Sequence, residues 1–234
     1  MYDPLPGPTG FAVTGSTPGN DATGVLLGAP VIVTFNDYPD PATTITSAVV
    51  LRSMGGSNPG EITADARVDL IDKTLIVVPQ AALEASTNYQ LTLTTTVASL
   101  RQRTLSNDVT ISFTTGQTGG GGLPAPPQRT LAVDIQPIWN DATDGCVRPG
   151  CHDAASASAG LVLETGSTAG NLIRVLAGEV DLDRVRPGDP AASYLLRKVL
   201  GTPDIVGGRM PIGRVLPPNE IRAISDWILG GAQP

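Results

Sequence analysis

Between Gly116 and Pro127 the chain reads Gly-Gln-Thr-Gly-Gly-Gly-Gly-Leu-Pro-Ala-Pro-Pro, a stretch that no packed helix or strand can contain. The glycines make a flexible tether and the prolines a short stiff spacer, so the segments on either side must fold independently. The 234 residues divide into a first domain at residues 1–116, a linker at 117–129 and a second domain at 130–234. Each domain is near the usual size and long enough to bury a core.

The first domain is patterned for strands. Val31-Ile32-Val33-Thr34-Phe35, Tyr89-Gln90-Leu91-Thr92-Leu93-Thr94 and Val109-Thr110-Ile111-Ser112-Phe113-Thr114 alternate apolar and polar residues with period two, which buries one face of each. Turn clusters separate them at the intervals of a β-sandwich. No cysteine pair staples the sheets, so Val, Leu, Ile and Phe must supply the core. Tyr89 is placed for the corner hydrogen bond of Greek-key sandwiches, with a half-buried strand tyrosine as the plainer alternative. The Pro18-to-Val25 segment, the 31–35 strand, Leu83 through Tyr89 and the closing Ser112-Phe113-Thr114-Thr115 together resemble bacterial Ig-like domains of surface-layer and secreted proteins. The resemblance covers about residues 8–116.

In the second domain the only two cysteines of the chain, Cys146 and Cys151, stand beside its only histidine, His152. The run reads C-x4-C-H. It is a spaced variant of C-x-x-C-H, in which two thiols bond to the haem vinyl groups and the imidazole ligates iron. A small disulfide loop beside a surface histidine is the plainer alternative. Met210 lies in Gly207-Gly208-Arg209-Met210-Pro211, an irregular setting that suits a ligand better than core filler. Apolar spacing predicts three helices: one capped by Asp134 with Ile135, Ile138 and Trp139 on one face; one opened by Asp189-Pro190 with Leu195, Leu196 and Val199; and one opened by Pro218 with Ile221, Ile224, Trp227 and Ile228.

Asp134-Ile135-Gln136-Pro137-Ile138, Arg186-to-Pro190 with Ser193-Tyr194-Leu195, and Glu220-Ile221 with Trp227-Ile228 resemble bacterial class I-like monohaem c-type cytochrome domains over residues 130 to 234. The fold class expected on these grounds is two-domain, an all-β Ig-like sandwich plus a small all-α cytochrome c-like domain. The resemblance implies one covalent haem c, with Cys146 and Cys151 as thioether anchors and His152 and Met210 as axial ligands of the iron. Arg209 is a candidate contact for a haem propionate. The carbonyl that orients His152 falls, on this reading, in Ala159-Gly160-Leu161. The four-residue spacer and the lack of a Gly-x-Gly-Pro segment after the histidine depart from the family pattern.

A net charge of −7, with only Lys73 and Lys198 as lysines, argues against nucleic acid or an anionic membrane surface as partner. No window is apolar enough to span a bilayer. The Met1-Tyr2-Asp3-Pro4 start lacks the features of an export signal and reads as a mature form. A periplasmic, outer-membrane-associated or extracellular location is expected. With His152 assigned to iron, no histidine remains for a Ser-His-Asp mechanism. Zinc lacks a fourth ligand beyond Cys146, Cys151 and His152. Asp181 and Asp183 suit calcium no better than solvent. The expected function is electron transfer by a non-enzymatic carrier whose partners are redox proteins or subunits of a respiratory or extracellular assembly. The alternative is a non-redox surface adhesion or carbohydrate-binding protein with a Cys146–Cys151 disulfide.

Overall fold

The structure is a computed structural model that describes residues 7–143 and 145–234. It divides into two compact units, the first ending at Pro124 and the second spanning Ala125–Pro234.

The first unit is a sandwich of nine strands: β1 (Val13–Thr17), β2 (Ala22–Val25), β3 (Val31–Phe35), β4 (Val49–Ser53), β5 (Gly60–Glu61), β6 (Ala64–Asp69), β7 (Thr74–Pro79), β8 (Asn88–Leu93) and β9 (Val109–Thr115). One sheet has the order β1-β3-β7-β6 and the other β2-β9-β8-β4-β5. All pairings are antiparallel except that of β2 with β9, which is parallel. The period-two pattern directs the core: Val31, Val33 and Phe35 of β3, Tyr89, Leu91 and Leu93 of β8, and Ile111 and Phe113 of β9 are buried. Each such burial contributes on the order of 1.5–3 kcal/mol. Tyr89 stacks on Phe113, its cross-strand partner, at 5.7 Å between ring centroids. The Tyr89 hydroxyl accepts the Glu84 amide at 2.8 Å, which closes the corner hydrogen bond.

The second unit departs from the expected all-α fold. Its α-helices are α1 (Gln136–Asn140), α2 (Thr168–Leu172), α3 (Tyr194–Leu200) and α4 (Pro218–Leu229), of 5, 5, 7 and 12 residues. Turns and isolated bridges such as Ile173 to Val185 fill the remainder. The physical reason is backbone punctuation: Gly201 takes a positive φ as the cap that ends α3, and Gly160, Gly166, Gly188, Gly207 and Gly213 hold the connecting segments at positive φ, outside helical geometry. The chain is mainly a β-sandwich accompanied by a few short helices, and an all-α cytochrome c-like domain is not what residues 130–234 form.

Within this unit α4 matches its apolar stripe, with Ile221, Ile224, Trp227 and Ile228 buried. The first helical segment is capped differently from the expectation. A wide turn at Leu131–Ile135 precedes α1, and the Thr130 hydroxyl, not Asp134, accepts the Val133 amide. Asp134 instead reaches back to the Thr130 amide at 2.8 Å, a reciprocal arrangement in the manner of a capping box. Asp189 likewise caps only a turn, through the Ala192 amide at 3.0 Å. α3 begins later, after Ser193, whose hydroxyl bridges the Arg186 amide and the Asp189 carbonyl.

Candidate functional site

A cavity of about 410 Å³ in the second unit gathers Cys146, Cys151, His152 and Met210 on its walls. Its size lies within the range of roughly 300–1,000 Å³ typical of small-molecule and cofactor sites. Leu161, Leu163, Leu172, Leu195, Val199 and Ile212 make the lining largely apolar.

The end of α1 seats the cysteine loop: the Trp139 carbonyl accepts the amides of Cys146 at 2.8 Å and Val147 at 2.9 Å. The loop then folds back on itself, with the His152 amide donating to the Cys146 carbonyl at 3.2 Å. His152 is half-buried. Its Nδ1 lies 3.2 Å from the Leu161 carbonyl, inside the 159–161 stretch singled out from the sequence. With Nδ1 donating there, Nε2 keeps its lone pair.

Both thiols are free, Cys146 buried and Cys151 exposed, so the disulfide of the alternative reading is not formed. Burial first, then the neighbouring Cys151 and Glu220, push the Cys146 thiol up to about 12. It is therefore protonated at neutral pH.

The loop after α3 brings Met210 to the same cavity. The Met210 amide donates to the Lys198 carbonyl at 2.9 Å. Tyr194 and Lys198, one helical turn apart, both face the cavity and converge on Glu179 at 2.8 and 3.3 Å. Burial, followed by the Glu179 carboxylate, raises the Tyr194 hydroxyl to about 12.

Arg209 is not among the residues that line the cavity; its Nε donates to the Val199 carbonyl at 2.8 Å. Neighbouring Met210 in sequence does not place its side chain on the same wall. The cations that do reach the cavity are Arg148, Arg184, Lys198 and Arg214. Of these only Lys198 carried a sequence signal, its i,i+4 spacing from Tyr194 on a helix face. The arginines lie in irregular segments where spacing has no meaning.

Met54 lies in the sandwich, 56% exposed, between β4 and β5. A cleft of about 580 Å³ in the sandwich, lined by residues including Thr44, Ile45, Glu61, Thr63, Asp65 and Val77, holds no thiol and no imidazole. Among the described residues no helix is long and apolar enough to cross a membrane. Nor does any group of three or more His, Cys, Asp or Glu side chains among them stand ready to hold a metal ion.

Among solved structures, the methionine-rich copper resistance protein PcoC from Escherichia coli is 16% identical, with a TM-score of 0.37 over 46% of this chain and 99% of that one. The N-terminal part of the bacterial S-layer protein SbsC is 15% identical, with a TM-score of 0.36 over 52% of this chain and 25% of that one. CopC from Methylosinus trichosporium OB3b is 12% identical, with a TM-score of 0.35 over 45% and 93%. No curated protein sequence matches the chain. The expectation of a cytochrome c with a bound metal is corrected: the family match is confined to residues 8–115, and among the described residues no cluster of three or more His, Cys, Asp or Glu is formed to hold a metal. What is shown concerns the sandwich, where residues 8–115 match the bacterial Ig-like domain family.

Proposed function

We propose that this chain is a cell-surface or extracellular protein in which an Ig-like sandwich docks or spaces a small binding unit, with adhesion or carbohydrate binding as its work. The match of residues 8–115 to bacterial Ig-like domains carries this reading. The net charge of −7 accords with it, since an acidic chain is poorly suited to nucleic acid. Labelling intact cells of the native host with a membrane-impermeant amine reagent, followed by glycan-array binding of the full chain, tests it. Labelling with saturable glycan binding supports the reading. A chain labelled only after lysis overturns it.

A second reading concerns what fills the cavity of the binding unit, and the convergence of Cys146, Cys151, His152 and Met210 on that cavity favours it. The donor set suits one covalently attached haem c: two thiols for the vinyl groups, an imidazole with its Nδ1 already engaged, and the Met210 thioether in the same lining. Bound there, the group would supply a one-electron iron couple. The residues themselves would hold it: His152 presents Nε2, apolar Leu163, Leu172 and Val199 exclude water, and Arg148 or Arg214 is available for its carboxylates. Spectroscopy on protein purified from the native host decides between the readings. A Soret band that survives acid-acetone extraction supports haem; a colourless chain with both cysteines accounted for by mass overturns it.

A further inference from the structure

His152 is held by a short relay that ends on Arg184. The Leu161 carbonyl facing Nδ1 directly follows the tight turn Ser158–Gly160. That turn is an unfavourable one for its residues: Ala157 and Ala159 take φ of 40° and 54°, the left-handed region that side chains with a Cβ avoid. Backbone in such a conformation persists only where its surroundings hold it. Arg184 supplies the hold. Its Nη2 donates to the Ala159 carbonyl at 3.1 Å and the Gly160 carbonyl at 3.3 Å, while Nη1 donates to the Asn171 carbonyl at 2.9 Å. The backbone of Arg184 is itself pinned, its amide to the Val175 carbonyl at 2.7 Å and its carbonyl by the Leu195 amide at 2.9 Å. A planar guanidinium with donors in a fixed fork can tie these carbonyls together as a flexible ammonium cannot.

We infer that Arg184 is a positioning residue for His152: by clamping the Ala159 and Gly160 carbonyls it fixes the Leu161 carbonyl against Nδ1, selects the Nδ1–H tautomer and keeps Nε2 free as an electron-pair donor. The inference rests on the cavity reading only for the use to which Nε2 is put. The tautomer itself follows from the hydrogen bonds.

His152 is the chain's only histidine, so nitrogen-15 labelling of histidine gives one set of ring signals. The full chain is prepared without haem and measured at about pH 8.5, well above the ordinary imidazole value of ~6.5. The Nδ1–H form is expected to dominate in the parent chain. Arg184→Ala is expected to raise the Nε2–H fraction about threefold or more, and Arg184→Lys, which keeps the charge but not the fork, to fall between. Emission from Trp139 and Trp227, both fully buried in this unit, checks that each variant is folded. Should Arg184→Ala lose that signature, the comparison rests on Arg184→Lys. An unchanged tautomer ratio in the folded variants overturns the inference. Haem content of the native-host protein separates the two claims, because a haem-free chain defeats the cofactor reading and leaves the tautomer result standing.

Discussion

The Tyr194 hydroxyl accepts the Val206 amide at 2.9 Å, so a single side chain of α3 holds the start of the loop that carries Met210. Lys198 adds a bond from Nζ to the Val206 carbonyl at 2.8 Å, and Arg209 Nε returns to the Val199 carbonyl at 2.8 Å. The helix serves as the rail on which the Met210 wall of the cavity is mounted.

Tyr194→Phe removes the acceptor of the Val206 amide and the donor to Glu179 together. Loss of about 1–3 kcal/mol is expected, because the residue is buried and one amide is left without its partner. Urea denaturation followed by tryptophan emission reads this directly, since both tryptophans belong to the second unit.

The same side chain gives an alkaline signature. Burial and then Glu179 hold the Tyr194 hydroxyl at about 12, above its ordinary value of ~10. A value raised on folding means that the contribution to stability is complete below about pH 10 and is lost as pH climbs through about 12. Tyr194→Phe should flatten the fall in urea midpoint across that window. An equal fall in both proteins would show that Tyr194 does not cause it.

Cys146 and Cys151 are expected to differ sharply in reactivity. Only the thiolate attacks, and burial keeps the Cys146 thiol protonated to about 12 while Cys151 is exposed. In the haem-free chain, iodoacetamide at about pH 8 should modify Cys151 more than roughly tenfold faster than Cys146, with Cys146 reacting fully only after unfolding. Peptide mass spectrometry over time measures both rates. Equal rates would contradict the burial of Cys146.

Tyr89→Phe should weaken the sandwich alone. Tyr89 is 1% exposed and its hydroxyl accepts the Glu84 amide, so removal costs about 1–3 kcal/mol. Leu91→Ala, at a position with no exposure, should cost about 2–5 kcal/mol by leaving a cavity. Calorimetry is expected to resolve two transitions, with only the sandwich transition moved by either change. A shift of both would show that the two units unfold together.

Elements that repeat one physical signal were legible in the sequence. β3 and β9 alternate cleanly, and α4 has a proline start and a full apolar stripe. β7 was not, because its consecutive residues Leu75, Ile76 and Val77 are all buried, so both faces of the strand are covered there and the alternation is erased. β1 and β2 are mostly Thr, Gly and Ser, and only their pairing makes them strands. In the second unit three apolar stripes were read as a helical domain; the helices form, but the long segments between them are turns, with glycines such as Gly160, Gly188 and Gly207 at positive φ. The meeting of Met210 with the cysteine loop was suggested by residue chemistry. Arg184 acts through backbone carbonyls, and no pattern of side chains announces that.

The parallel pairing of β2 with β9 sets how the sandwich responds to tension. The second strand of the unit and its last lie side by side, with Ala22 opposite Phe113 and Val25 opposite Thr115. Once β1 is drawn off β3, a pull on the two ends drags β2 backwards and β9 forwards along their common direction. The bonds from the Asp21 amide to the Ser112 carbonyl at 2.7 Å and from the Gly116 amide to the Val25 carbonyl at 2.8 Å are then loaded in shear, all together, rather than peeled one after another. That geometry makes the β2–β9 pairing the part of the sandwich that resists extension.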